Sequence, residues 1–174
     1  MRARQAGAAI LNDVSALRND PAMMEQAKSF ELVVLMHMGG KTPKTMQESP
    51  RYEDVVAEVK DFLKERRAAF ARAGGDAARI LFDPGIGFGK DLEHNLSLLK
   101  PLEDLCAAAP VLVGASRKSF IGKLSADSGP EERLEGSLAA ACWAANAGVS
   151  VLRVHDVKAT RRALEVSCAI EGAR

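Results

Sequence analysis

The sequence is poor in the features that mark several whole classes of protein. It has 3 cysteines, Cys106, Cys142 and Cys168. They are odd in number, far apart and lack CxxC or other metal-ligand spacing, which argues against a disulfide framework or a thiolate metal centre. Reduced thiols in a cytoplasmic protein are the expectation. No apolar run approaches the ~20 residues that a membrane span needs. The first residues, Met1-Arg2-Ala3-Arg4-Gln5-Ala6-Gly7, lack the apolar core of a secretion signal. Charge of one sign is missing too. A net charge of +1 gives no electrostatic reason to expect nucleic acid or an acidic membrane surface as a partner. There is no low-complexity tract and no linker.

What remains is the composition of one globular domain over residues 1–174, with 47% hydrophobic and 27% charged residues. Short runs rich in Val, Ile and Leu predict strands at Ala8–Val14, Leu32–Met38, Arg79–Asp83, Pro110–Ala115 and Val149–His155. None alternates strictly with polar residues, so each is expected to be buried on both faces, as parallel strands are. Helical patterns lie between them. Asp20-Pro21 should open a helix that runs to about Phe30. Ser49-Pro50 should open a second, with Tyr52, Val55, Val56, Val59, Phe62, Leu63 and Phe70 on one face and Gly74-Gly75 as its stop. Leu92–Ala108 contains Pro101, which should kink or split it. Glu131–Ala147 and Val157–Ile170 complete the set, and the first seven residues read as the tail of a helix. The order predicts a parallel sheet covered by helices. A doubly wound open sheet and part of a β/α barrel both fit.

Ligands in parallel β/α folds bind at the carboxyl ends of the strands. The polar residues there are Asn12 and Asp13, His37, Asp83, Ser116-Arg117-Lys118, and Arg153 with His155-Asp156. Asp83 directly follows Ile80-Leu81-Phe82, and a part-buried carboxylate needs partners. It either caps its own loop or faces a ligand. The glycines of Asp83-Pro84-Gly85-Ile86-Gly87-Phe88-Gly89-Lys90 do not fit a phosphate loop, because Gly85 to Gly89 is one residue short and Asp91 follows Lys90. A carboxylate accepts two parallel N–H bonds. The matching ligand is a guanidine-like edge, such as that of a 2-amino-4-oxo-pteridine or a guanine. Lys118 offers a point charge for a carbonyl or ring nitrogen, unless Arg117 and Lys118 are solvated loop cations. Arg153 and His155 alternate beside the start of a helix, the setting of an anion site. The alternative pairs Arg153 with a carboxylate and packs His155 on a loop. His37 has no second ligand at metal spacing and reads as a satisfied strand-end histidine. His94 reads as a helix-surface residue, and Gly39–Pro50 as a loop.

These segments, with Leu35-Met36-His37-Met38-Gly39, Lys44-Thr45-Met46-Gln47, Gly114-Ala115-Ser116-Arg117-Lys118-Ser119 and Arg153-Val154-His155-Asp156-Val157, resemble dihydropteroate synthases in order and spacing. The resemblance implies a (β/α)8 TIM barrel, represented by its last five β/α units, with Met1 an internal methionine. It implies a transferase of folate biosynthesis. That enzyme joins 4-aminobenzoate to 6-hydroxymethyl-7,8-dihydropterin diphosphate and releases pyrophosphate, with Mg²⁺ sharing the diphosphate charge. By the same resemblance Asn12 and Asp83 hold the pterin edge, and Met36, Phe88 and Gly114 wall the pocket. Lys118 reaches pterin and aminobenzoate, Ser119 the aminobenzoate carboxylate, and Arg153 and His155 the diphosphate. The catalytic assignments are Lys118, Arg153 and His155. No metal ligand is expected within this sequence. A homodimer through the late helices is implied, as are impaired turnover by this chain alone and association through the strand edges Ala8–Val14 and Val149–His155. Two alternatives stand beside it: a non-catalytic pterin-binding fragment or paralogue, and a folate-dependent methyltransferase barrel, for which Arg153-x-His155 has no use.

Overall fold

The computed structural model describes residues 2–40, 50–125 and 129–173. Met1, the segment Lys44–Gln47 and Ser49 named above lie outside them. Among the described residues the strands are β1 (Ile10–Asp13), β2 (Leu32–Met36), β3 (Ile80–Asp83), β4 (Leu112–Val113) and β5 (Val151–Leu152). All pairs are parallel: β1 with β2, β2 with β3, and β4 with β5. A parallel bridge from Phe82 to Val111 joins β3 to β4. The strands therefore follow chain order, each reached through a helical crossover.

The helices are α1 (Arg2–Gln5), α2 (Met23–Ala27), α3 (Val55–Arg72), α4 (Leu92–Leu99), α5 (Leu102–Cys106), α6 (Ser119–Ser125), α7 (Leu134–Asn146) and α8 (Val157–Gly172). Pro101 separates α4 from α5, as its missing N–H dictates. Other boundaries differ from the sequence reading for identifiable reasons. Asp20 accepts from the Ala22 N–H in a turn, which delays the helix to Met23. The third helix starts at Val55 because the Asp54 carboxylate caps the N–H groups of Val56 and Ala57. Tyr52 thus lies ahead of α3, not on its face. The short helix α6 lacks a sequence signal of its own.

Pairing register sorts the side chains. Val33, Leu35, Ile80, Phe82 and Val113 belong to the large core under the helices, where Val59, Leu63 and Phe70 of α3 meet them. Val34, Leu81 and Leu112 form a small second cluster. The alternation of a strand carries that second face onward to Asn12, Met36, Asp83, Gly114 and Arg153 at the carboxyl ends. The expectation of strands buried on both faces holds for β2 and β3 but not for the outer two. Ile10 of β1 is 52% exposed and Val151 of β5 is 36% exposed, each strand having one described neighbour. No described helix is long and apolar enough to cross a membrane.

Candidate active site at the strand ends

Asp83 is fully buried at the end of β3. Its Oδ1 accepts from the Gly85 N–H at 2.8 Å, and its Oδ2 accepts from Arg153 Nη2 at 3.1 Å. Burial pushes its carboxyl above the usual range, against the pull of Arg153, the Gly85 N–H and Lys90. One oxygen thus caps its own loop, and the other meets Arg153, the carboxylate pairing that the alternative reading of Arg153 expected. The second arm of Arg153 donates from Nη1 to Asn12 Oδ1 at 2.9 Å. One planar guanidinium thus spans the carboxylate and the amide expected to hold a ligand edge.

Two glycines make this possible. Gly85 has φ +68°, and a side chain there would strike the His37 carbonyl. A Cβ on Gly114 would lie 2.6 Å from Arg153 Nη2, so the bare backbone lets Arg153 cross the end of β4.

Lys118 is half-buried with its Nζ 4.0 Å from the centre of the Phe88 ring. Burial lowers its pKa, Arg153 adds to the shift and Asp83 opposes it. Arg117 has φ +57° and grips Asp156 with two bonds, Nε to Oδ2 at 3.0 Å and Nη2 to Oδ1 at 2.7 Å. These two residues are not the solvated loop cations of the alternative reading. Ser119 is exposed at the start of α6, and Met36 is fully buried beneath the site.

Arg153 and His155 do not meet as a pair. His155 turns to Ser116, whose Oγ lies 3.0 Å from Nδ1 and accepts from the His155 N–H at 3.2 Å. The strand ends at Leu152, and His155 lies three residues beyond it, where simple alternation no longer governs a side chain. The two residues expected at the diphosphate are tethered separately here, Arg153 on the Asp83–Asn12 side and His155 on the Ser116 side.

The matching family model is described as pterin binding enzyme and covers residues 1–155. The chain belongs to the pterin-binding enzymes. Among its relatives, the dihydropteroate synthase of Neisseria meningitidis serogroup B is 47% identical over 165 residues, 92% of this chain and 58% of that protein. The dihydropteroate synthase of Escherichia coli K12 is 49% identical over 161 residues, 92% of this chain and 56% of that protein. The chain spans a little over half the length of these curated relatives. Of solved structures, the Xanthomonas albilineans dihydropteroate synthase with 4-aminobenzoic acid has a TM-score of 0.90 at 46% identity, covering 99% of this chain and 61% of that one. The Thermus thermophilus dihydropteroate synthase in complex with 6HMPPP gives 0.91 at 48%, covering 98% and 67%.

Of the residues singled out from the sequence, the structure brings Asn12, Asp83, Gly114 and Arg153 to one place, with Lys118 and Phe88 beside them. The sequence reading missed the supports. Lys90 is 4% exposed, and its Nζ lies 3.0 Å from His37 Nδ1 while donating to the carbonyls of Gly85 and Phe88. His37 is buried and held neutral, its pKa pushed down to about 3 by burial and then by the charge of Lys90. Its expected standing as a satisfied strand-end histidine agrees with this geometry. His94 is not a free surface residue: it shares a capping box with Asp91 and stacks edge-on against Tyr52. The lysine that closes the DPGIGFGK segment was visible in the sequence, but its burial was not, because lysine is ordinarily exposed. Among the described residues no three His, Cys, Asp or Glu come together in a group that could hold a metal ion.

Proposed function

We propose that this chain carries the pterin side of a dihydropteroate synthase, a transferase of folate biosynthesis. The substrates would be 6-hydroxymethyl-7,8-dihydropterin diphosphate and 4-aminobenzoate, and the products 7,8-dihydropteroate and pyrophosphate. The observation that carries the reading is the buried Asp83 carboxylate with Asn12 beside it, both satisfied by a single guanidinium. The 2-amino-pyrimidine edge of a pterin offers a similar planar set of donors, so it can take the place of Arg153. The relatives' names and the ligands bound in similar structures support the same substrates.

In this reading the pterin edge docks on Asp83 and Asn12. Arg153, released, turns its charge to the diphosphate, where His155 can join it. Lys118 sits above Phe88 and directs its positive charge at the pterin carbonyl and ring nitrogen. Reaction forms a bond from the aminobenzoate nitrogen to the pterin methylene carbon as the carbon–oxygen bond to diphosphate breaks. The electron pair leaves on the diphosphate, and the nitrogen loses a proton. The developing charge at the leaving group falls near the Arg153 guanidinium, with His155 beside it, where a cation and hydrogen-bond donors lower the barrier. The aniline needs placing more than activating, and Ser119 at the start of α6 is proposed to hold its carboxylate.

The five β/α units are proposed to be the last five of an eight-unit TIM barrel, one domain over residues 1–174. Mg²⁺ is proposed to travel with the diphosphate, and the setting to be the cytoplasm. A homodimer is proposed through the late helices. An apolar groove of about 570 Å³ between α4, α6 and α7, walled by residues such as Phe120, Leu124 and Trp143, supports that surface. Calorimetry with the dihydropterin diphosphate tests the function. Wild type should bind, and Asp83→Asn should weaken binding about 10- to 100-fold, the loss of one charge-assisted hydrogen-bond pair. Equal binding by both proteins would overturn the assignment.

A further inference from the structure

Lys90 has no role in the chemistry above, yet its ammonium is buried and surrounded by acceptors. An ammonium carries three protons. Here it finds three acceptors within 3.1 Å: His37 Nδ1, the Gly85 carbonyl and the Phe88 carbonyl. His37 belongs to the end of β2, and its N–H donates to the Asp83 carbonyl at 2.9 Å. The other two acceptors belong to the turn that follows β3. One buried cation therefore closes that turn on itself and ties it to the neighbouring strand. The turn carries Phe88, whose ring supports Lys118.

We propose that Lys90 is a positioning residue for the pterin site, touching no ligand but fixing Phe88, and through it Lys118, opposite Asp83. The inference rests on the pterin reading of the site. Two further observations agree with it. Lys90 and Asp83 act on each other electrostatically in both directions, so Lys90 is a second cation, besides Arg153, that favours the ionised carboxylate. The turn is also held from outside, by Tyr52 Oη donating to the Gly89 carbonyl at 2.9 Å and Asn95 Oδ1 accepting from the Gly87 N–H at 2.6 Å. Those bonds fix its rim, whereas Lys90 fixes its centre.

The charge of Lys90 makes its role separable from simple structural support. Burial pushes its pKa down to about 7, with Lys118 adding to the shift and Asp83 opposing it. The facing groups are His37 from β2, Asp83 from β3, Lys118 ahead of α6, Tyr52 ahead of α3, and Asp91 with His94 at the head of α4. His37 stays neutral above about 3, and burial pushes the Tyr52 phenol up, so neither titrates near neutrality. Once deprotonated, Lys90 has two protons for three acceptors and loses its pull on Asp83.

The test compares the wild-type chain with Lys90→Met and Lys90→Gln, using 6-hydroxymethyl-7,8-dihydropterin diphosphate as the calorimetric probe at about pH 5.5 and about pH 8.5, roughly one and a half units either side of the lysine's midpoint. Wild-type affinity should fall about tenfold between the two. Both variants should bind weakly at either pH and lack that fall, while any titration of the ligand or of Lys118 would remain in all three. Amide exchange without ligand gives a second readout: Gly85–Gly89 should exchange faster in the variants while α3 and α7 do not. Wild-type binding with an unchanged profile in the variants overturns the role of Lys90 alone, as does unchanged exchange. No wild-type binding sinks the pterin reading instead, and exchange still decides whether Lys90 holds the turn.

Discussion

Arg153 and Asp83 are joined across 70 residues of sequence by a 3.1 Å ion pair in which the carboxylate is buried and the guanidinium is 42% exposed. That asymmetry makes the arginine the mobile partner. A buried carboxylate keeps its need for a donor whichever donor supplies it. Removing the internal donor should therefore have opposite effects on two ligands. Arg153→Ala should tighten binding of 6-hydroxymethylpterin, which lacks diphosphate, by several-fold. It should weaken the diphosphate ester, which loses its cation. Paired calorimetric titrations check this, and weakening of both ligands would mean that Arg153 simply builds the pocket.

Stability should depend on pH through Lys90. Its pKa in the folded chain is about 7, below the ordinary value of 10.5, so the unfolded chain binds more protons between those values. Stability from this group accordingly rises as pH rises from about 7 to 10.5, with a limiting slope of about 1.4 kcal/mol per pH unit. It is at its lowest below about pH 7. Urea melts across that range should show the rise in wild type and a flatter profile in Lys90→Met.

Gly85 should tolerate no side chain. Its φ of +68° costs an L residue about 1–2 kcal/mol, and the added Cβ would meet the His37 carbonyl, which must shift. Gly85→Ala should lose more than that strain alone in a thermal melt, and pterin binding should fall with it. Gly7→Ala is the control, since φ is +93° there but nothing lies within 4 Å.

Asp54→Ala removes the cap of α3, whose bonds go to Val56 and Ala57 and to no residue of the strand-end cluster. It should cost about 1 kcal/mol of stability, seen as a lower urea midpoint, and leave pterin affinity unchanged.

The sequence carried the strands and the residues that end them, because buried parallel strands are apolar runs and their polar ends stand out; it left their order in the sheet open between two architectures. It carried Pro101 as a break, since proline acts locally. It did not carry the start of α3, because several residues ahead of Val55 are able to cap and only the extended backbone of Asp54 decides which one does. Nor did it show which way Arg153 points. That direction depends on Gly114, a residue distant in sequence whose missing side chain opens the route to Asp83. Lys90 and His37 were each visible, but their contact depends on how the turn after β3 folds back on β2. Arg117 gave no sign of its partner, because Asp156 lies 39 residues away.

The central claim is that the pterin edge replaces Arg153 on Asp83 and Asn12. A crystal structure of the chain with 6-hydroxymethyl-7,8-dihydropterin diphosphate tests it most directly. The amino-pyrimidine edge should lie on the Asp83 carboxylate and the Asn12 amide, with the Arg153 guanidinium displaced toward the diphosphate. A bound pterin elsewhere, or one accommodated while Arg153 keeps both of its present bonds, would contradict it.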